Sequence, residues 1–176
     1  MTLKTSGLTR TCLPAGRAKM KVLGIDPGIE RLGWGLVEKK EGEVNYLKSG
    51  VKKTLKTESP SARLLEIHNF LEELLARERP EVAAVERLFF SKNVKTALQV
   101  SEVRGVILAA AEKAGVAIKE FTPPEVKMAL TGYGRAGKKN VAEFLKFSLK
   151  LPERKMLDDE TDALALALCG IYSRKQ

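Results

Sequence analysis

Cysteine and histidine are scarce in this chain, and long apolar runs are missing. The sequence has two cysteines, Cys12 and Cys169, and one histidine, His68. Two cysteines give no disulfide framework, and one isolated histidine supports neither a zinc site nor a Ser-His-Asp triad. The longest apolar runs, such as residues 163–169, are far shorter than the roughly 20 residues that cross a bilayer. These absences predict a protein of the reducing cytoplasm with no membrane span.

The chain does have an excess of positive charge, in a length that suits one domain. Its 176 residues include 31 Lys and Arg against 22 Asp and Glu, a net charge of +9. Residues 1–19 carry four of the basic residues, no acidic residue and no apolar period, so we predict a disordered leader: an upstream start, a foreign remnant or a transit-like segment. Residues 20–176 keep a net charge of +5, which favours a polyanion such as nucleic acid as partner.

The hydrophobic pattern predicts an α/β fold with a five-stranded mixed sheet flanked by helices. Three strands joined by short turns come first, which predicts an antiparallel meander. Two crossovers through helices then add two strands parallel to the first strand. The predicted strands are residues 21–26, 31–38, 43–51, 82–88 and 116–121. The predicted helices are residues 59–79, 93–114, 123–130, 138–149 and 158–172.

Four carboxylates are predicted to meet at one edge of this sheet. Asp26 ends the first strand and Glu86 lies near the end of the fourth, and the carboxyl ends of parallel strands share an edge. Asp159 and Asp162 are three residues apart at the start of the last helix, so they lie on one face of it. Four such charges repel one another unless cations neutralise them. Two Mg²⁺ ions, with Mn²⁺ as a substitute, suit an all-oxygen site that hydrolyses phosphodiesters.

Each of these carboxylates also has an ordinary structural interpretation. An Asp before Pro-Gly often starts a turn, here a type II turn with Pro27 and Gly28 at its centre. Acidic residues in the first turn of a helix commonly cap it, and Asp158 is predicted to be the N-cap of the last helix. Glu86 fits this interpretation least, because it interrupts an apolar strand where an unpaired carboxylate is costly.

An ordered set of short motifs, spread over about residues 20–174, resembles the RuvC family of Holliday-junction resolvases. The set is GIDPG at 24–28, GWG at 33–35, Val85-Glu86 followed by Phe89, GYG at 132–134 and DETDALA at 159–165. No single motif identifies the family, but all of them occur in the family's order, and this ordered set is specific for the family. Residues 1–19 are not part of the family pattern.

The resemblance implies a fold, an activity and partners. It implies an RNase H-like nuclease domain over residues 20–176, a homodimer, and paired symmetric nicks across a four-way DNA junction in recombination and repair. It also implies that Asp26, Glu86, Asp159 and Asp162 are the metal ligands, with Asp159 rather than Asp158 as the third. The RuvA–RuvB branch-migration complex is the implied partner.

Asp26, Glu86, Asp159 and Asp162 are called the acidic set below. Basic and aromatic residues near this acidic set are candidates for binding DNA. An aromatic directly after the Glu86 strand can stack on an unpaired base, and the resemblance favours Phe89 over Phe90 for that role. Lysine and arginine side chains would hold phosphates without reading sequence. The predicted DNA-binding residues are Phe89, Lys92, Lys127, Arg135 and Lys138.

Three other functions remain open from the sequence. The same fold could cut a different nucleic acid, such as an RNA–DNA hybrid or a transposon end. The chain could be a DNA-binding module whose acidic residues serve only turns and caps. The GIDPG segment is also compatible with the phosphate loop of actin-like ATPases, but those folds need two such lobes and residues 20–176 supply one.

Overall fold

A computed structural model describes residues 19–87 and 94–173, without the side chains of residues 94–96. The strands are β1 (Lys19–Asp26), β2 (Arg31–Lys40), β3 (Glu43–Lys53), β4 (Val82–Glu86) and β5 (Ala117–Phe121). The helices are α1 (Pro60–Glu78), α2 (Val94–Lys113), α3 (Pro123–Thr131), α4 (Lys138–Ser148) and α5 (Asp158–Tyr172). All ten predicted elements are present. Lys19 belongs to β1, while the rest of the predicted leader lies outside the described residues.

The five strands form one sheet in the order β3-β2-β1-β4-β5. β1 pairs antiparallel with β2 and parallel with β4, and β4 pairs parallel with β5. The predicted mixed sheet is therefore confirmed. Ile25 pairs with Val85, and the next residue along each strand is Asp26 and Glu86, so the two acidic residues end neighbouring strands at one edge.

Helices cover both faces of the sheet, as the alternation of side chains along β1 requires. Leu23 and Ile25 pack into a core with residues of α1 and α2, among them Leu71 and Ile107. Val22 faces the other way, into a second core built mainly from α4 and α5. Among the described residues, no helix has both the length and the apolar character to cross a bilayer.

Local capping signals fix where the helices begin. The Ser59 hydroxyl accepts a hydrogen bond from the Ala62 N–H at 3.2 Å, and Pro60 occupies the first turn of α1. At α3, the Thr122 hydroxyl accepts from the Glu125 N–H while the Glu125 carboxylate accepts from the Thr122 N–H. These signals explain why the predicted helix starts are close to the observed ones.

The connection after β1 differs from its prediction. A type II turn needs a positive φ at its third residue, but Gly28 is not among the glycines with positive φ, which are Gly42, Gly115 and Gly132. The type II assignment is therefore wrong. Glycine is required at position 28 for another reason, because a Cβ there would overlap the carbonyl oxygen of Arg31.

Candidate active site

Glycines let the last helix lie directly on the sheet beside Asp26. A Cβ at Gly24 would overlap the carbonyl oxygen of Ala163 in α5, and a Cβ at Gly35 would come within 2.7 Å of Leu164 Cδ2. Gly33, which pairs with Asp26 across β1 and β2, lies against the backbone of Asp159. The glycines of the two N-terminal motifs thus set how closely the acidic end of α5 approaches Asp26.

An ion pair between the exposed Arg154 and the buried Glu160 holds the first turn of α5 in place. Glu160 is 4% exposed, and its carboxylate accepts hydrogen bonds from the Arg154 guanidinium at 2.9 and 3.1 Å. The same carboxylate accepts from the Leu157 N–H at 3.2 Å. Leu157, rather than Asp158, is the N-cap residue, so the prediction for Asp158 is wrong. Because the Glu160 carboxylate already accepts a hydrogen bond from the Leu157 N–H at the start of α5, Asp159 and Asp162 are not needed as capping residues.

Asp26 lies in a strongly negative environment. Burial, followed by the negative charges of Asp162, Glu86 and Asp159, raises the pKa of Asp26 from 3.8 to about 7, against a smaller opposing effect of Lys138. Burial and the charge of Asp162 also raise the pKa of Glu86. The four predicted carboxylates, which come from two strands and one helix, are therefore near enough for their charges to interact.

Two of the four carboxylates face a basic side chain. Arg31 Nε lies 3.2 Å from Asp159 Oδ2, and Lys138 Nζ lies 3.3 Å from Asp162 Oδ2. Both basic side chains are mostly exposed, so these ion pairs are weak and exchangeable. Within residues 19–87 and 94–173, no three His, Cys, Asp or Glu side chains form a ready-made metal-binding group. Arg31 and Lys138 each face one oxygen of these carboxylates, Oδ2 of Asp159 and Oδ2 of Asp162.

The side chains present fit a divalent cation in donor type and charge. Asp159 Oδ2 is buried and has no hydrogen-bond partner among the described residues, because its ion pair with Arg31 is not aligned as a hydrogen bond. A buried carboxylate oxygen without a hydrogen bond is costly, so a bound cation would stabilise Asp159 more than its weak ion pair with the exposed Arg31 does. After burial, the charges of Asp162, Glu86 and Asp159 also raise the pKa of Asp26, which indicates an excess of negative charge around it. Carboxylate oxygens are the ligands that Mg²⁺ and Mn²⁺ prefer.

The predicted DNA-binding residues fall into three groups. Lys127 and Lys138 line a cavity of about 230 Å³ together with Glu86 and Asp162, so they adjoin the acidic set. Arg135 is exposed on the loop between α3 and α4 and does not line this cavity. Phe89 and Lys92 lie outside the described residues.

Sequence reasoning missed two arginines of this site. Arg31, which faces Asp159, starts β2 and looks like an ordinary exposed strand residue in the sequence. Arg154, which holds the first turn of α5, lies in a connecting segment without a motif. The partner of Arg31, Asp159, is far away in the chain, and the partner of Arg154, Glu160, is one of several acidic residues near it. Only the folded structure therefore identifies these two ion pairs.

The raised pKa of Asp26 predicts how the free energy of unfolding depends on pH when a chelator keeps metal ions away. The folded-state pKa of about 7 lies above the ordinary 3.8, so protonated Asp26 stabilises the fold. That contribution is full below pH 3.8 and is lost as the pH rises through about 7. We expect Asp26→Asn to raise the unfolding free energy at pH 8 by roughly 2–4 kcal/mol, at about 1.4 kcal/mol per pKa unit, and to change it little at pH 4.

Urea unfolding of both proteins at several pH values measures this difference. Asp158→Asn removes an exposed carboxylate from the same helix start and serves as the control for net charge. Equal stabilisation by Asp26→Asn at pH 4 and pH 8 would show that the folded-state pKa of Asp26 is not raised.

Known proteins resemble this chain in sequence and in fold. Residues 22–170 match the family model described as crossover junction endodeoxyribonuclease RuvC. A crossover junction endodeoxyribonuclease RuvC from Petrotoga mobilis is 47% identical over 150 residues, which cover 85% of this chain and 92% of the relative. The solved Thermus thermophilus RuvC structure is 40% identical, with a TM-score of 0.79 over 87% of this chain and 94% of that one. A T. thermophilus RuvC structure in complex with a Holliday junction substrate is also 40% identical, with a TM-score of 0.82 over 87% and 93% of the two chains.

Proposed function

Because the chain belongs to the RuvC family of crossover junction endodeoxyribonucleases, which have an RNase H-like fold, we propose that it resolves four-way DNA junctions by paired symmetric nicks. The observation that carries the proposal is the group of interacting carboxylates around Asp26, placed at the sheet edge by β1, β4 and α5. The junction-bound T. thermophilus relative supports the substrate. The enzyme is then a hydrolase of DNA recombination and repair.

The proposed metal ligands are Asp26, Glu86, Asp159 and Asp162. Two Mg²⁺ ions, for which Mn²⁺ could substitute, would balance the four negative charges. When bound, Mg²⁺ would activate a water nucleophile and stabilise the leaving 3′ oxygen. The chain itself supplies the geometry: the strand ends fix Asp26 and Glu86, and the glycine contacts fix the height of Asp159 and Asp162 above them.

Basic residues around the acidic set would position the DNA. Lys127 and Lys138 adjoin Glu86 and Asp162, so a phosphate at the acidic set would lie within their reach. A phosphate would offer Lys138 an alternative partner, which would free Asp162 to hold a cation. We assign Arg135, Lys92 and Phe89 to the flanking DNA, with Phe89 stacking on a base near the junction centre.

We further propose that the working form is a homodimer. Two active sites related by a two-fold axis match a junction whose opposed strands are equivalent, which accounts for paired nicks. The RuvA–RuvB branch-migration complex is the proposed partner that delivers the junction. The proposed location is the cytoplasm, where chromosomal DNA of a bacterial cell is accessible.

Cleavage of a synthetic four-way junction tests this function. With Mg²⁺ we expect nicks at symmetric positions on opposed strands, and with a chelator we expect intact strands. Linear duplex and RNA–DNA hybrid of the same sequences serve as comparison substrates and are expected to be cut much more slowly. Intact junction strands with Mg²⁺ would refute the proposal, and preferred cleavage of the hybrid would change the substrate.

A further inference from the structure

Arg63, near the start of α1, is a buried cation without an opposite charge beside it. It is 8% exposed, and in the described part of the chain no carboxylate forms an ion pair with it. Its Nη2 atom is buried and has no hydrogen-bond partner within the same stretches. A buried charge without an opposite charge is costly, and a positive charge near a helix N-terminus adds to that cost. Stability alone therefore does not explain an arginine at position 63.

The Arg63 side chain holds a hydroxyl group that in turn holds the connection 27–30 between β1 and β2. Arg63 Nε donates a hydrogen bond to Thr54 Oγ1 at 2.8 Å. Thr54 follows β3 and is buried, and its hydroxyl donates to the carbonyl oxygen of Ile29 at 2.5 Å. The Thr54 N–H donates to the carbonyl oxygen of Glu30 at 3.2 Å. Two consecutive carbonyl groups of the connection are thus fixed from α1 through Thr54.

The connection 27–30 joins two side chains of the candidate active site. Asp26 is the last residue of β1, and Arg31, whose Nε lies 3.2 Å from Asp159 Oδ2, is the first residue of β2. Because the connection between them is so short, a shift of its carbonyl groups would move Asp26 as well. A misplacement of about 1 Å in a catalytic group can reduce a reaction rate by about a hundredfold. The position of the connection therefore matters for any reaction at Asp26.

We propose that Arg63 and Thr54 are positioning residues for Asp26. The guanidinium of Arg63 orients the Thr54 hydroxyl, and Thr54 holds the connection 27–30 so that the Asp26 carboxylate keeps its place in the acidic set. The inference rests on the proposed function, because it takes Asp26 as a ligand of the catalytic cation. Neither residue lines the cavity beside Glu86, so both act through the backbone rather than by contact with DNA. An apolar side chain at position 63 would be less costly to bury, but it would donate no hydrogen bond to Thr54.

Arg63→Met separates positioning from stability. Methionine keeps an unbranched side chain and removes the buried charge, so we expect the variant to unfold at or above the wild-type urea concentration. Single-turnover cleavage of the junction should fall by at least about tenfold, because Asp26 is no longer held in place. Junction affinity should stay within about twofold of wild type, because phosphate contacts elsewhere provide it. Unfolding at a lower urea concentration with unchanged cleavage would assign Arg63 to the core and overturn the proposal.

Two substitutions of Thr54 separate its hydroxyl from its size. Thr54→Val keeps the shape and removes the hydroxyl, whereas Thr54→Ser keeps the hydroxyl. We expect Thr54→Val to lose cleavage as Arg63→Met does, and Thr54→Ser to keep most of it. Arg63→Met/Thr54→Val should lose no more than the more impaired single variant, because both substitutions act on the same carbonyl groups. Equal cleavage by Thr54→Val and Thr54→Ser would contradict a role of the hydroxyl.

Amide hydrogen exchange reports on the connection without metal or DNA. The amide of position 54 donates to the carbonyl oxygen of Glu30, so its exchange should become faster by roughly fivefold in Arg63→Met and in Thr54→Val. Ser59→Ala is the control for a weakened α1, because it removes the N-cap hydrogen bond to Ala62 and leaves the connection untouched. It should keep the wild-type exchange at position 54 and the wild-type cleavage rate. Unchanged exchange in variants that lose cleavage would show that they act elsewhere and would reject the proposal.

These experiments separate the positioning role from the proposed function. If the wild-type protein cuts the junction with Mg²⁺ and Thr54→Val cuts it equally fast, the positioning proposal is wrong and the nuclease proposal stands. If the wild-type protein cuts no junction, the nuclease proposal fails. Hydrogen exchange at position 54 then still decides whether Arg63 and Thr54 hold the connection 27–30.

Discussion

Replacing Asp26 by asparagine, or Glu86 by glutamine, is expected to reduce junction cleavage by at least about a hundredfold, the loss typical of removing one group that stabilises transition-state charge. Both substitutions keep the size of the side chain and remove one negative charge from the acidic set. Junction affinity should stay within a few-fold of wild type, because phosphate contacts by basic residues, rather than these carboxylates, provide it. Single-turnover cleavage and equilibrium binding measure the two effects separately.

The two neighbouring aspartates at the start of α5 provide a matched control. Asp159 contributes to the raised pKa of Asp26 and is half-buried, whereas Asp158 is exposed. Asp159→Asn should lose activity as Asp26→Asn does, and Asp158→Asn should keep most of it. Near-wild-type cleavage by the Asp26 and Glu86 variants would show that the acidic set is not the catalytic centre.

Replacing Gly24 by alanine is expected to destabilise the fold by at least roughly 3 kcal/mol, the upper end of typical overpacking costs. The new Cβ would overlap the carbonyl oxygen of Ala163 and lie 2.6 Å from the backbone nitrogen of Ala167. Both atoms belong to the backbone of α5, so no side-chain rotation can relieve the overlap. The helix would have to move off β1, and Asp159 and Asp162 would move with it. Urea unfolding measures the loss.

Gly105→Ala tests the same substitution without the overlap. Gly105 is exposed within α2, and a Cβ there would meet no atom within 4 Å. Alanine is favoured over glycine inside a helix, so this variant should be more stable by roughly 0.5–1 kcal/mol. If Gly24→Ala were as stable as Gly105→Ala, the close packing of α5 on β1 would be incorrect.

The sequence by itself determined the elements and their order. Ser59 and Pro60 mark the start of α1, Asp26 and Glu86 mark the ends of two strands, and apolar periodicity separates strands from helices. These are local signals, carried by residues close together in the chain. The direction of β4 relative to β1 followed from chain order, because a crossover through a helix returns parallel. Because strand direction follows from chain order, Asp26 and Glu86 could be predicted from the sequence to lie at the same edge of the sheet.

Only the tertiary structure decided what each acidic residue meets. The turn type at Gly28 and the N-cap of α5 were wrong in the sequence prediction, because contacts with Arg31 and the ion pair of Glu160 with Arg154 replace the local preference. The contacts of Arg31 with Asp159 and of Lys138 with Asp162 depend on distances between separate segments of the chain. Sequence periodicity contains no information on such distances, whereas packing of α5 onto the glycines of β1 and β2 fixes them.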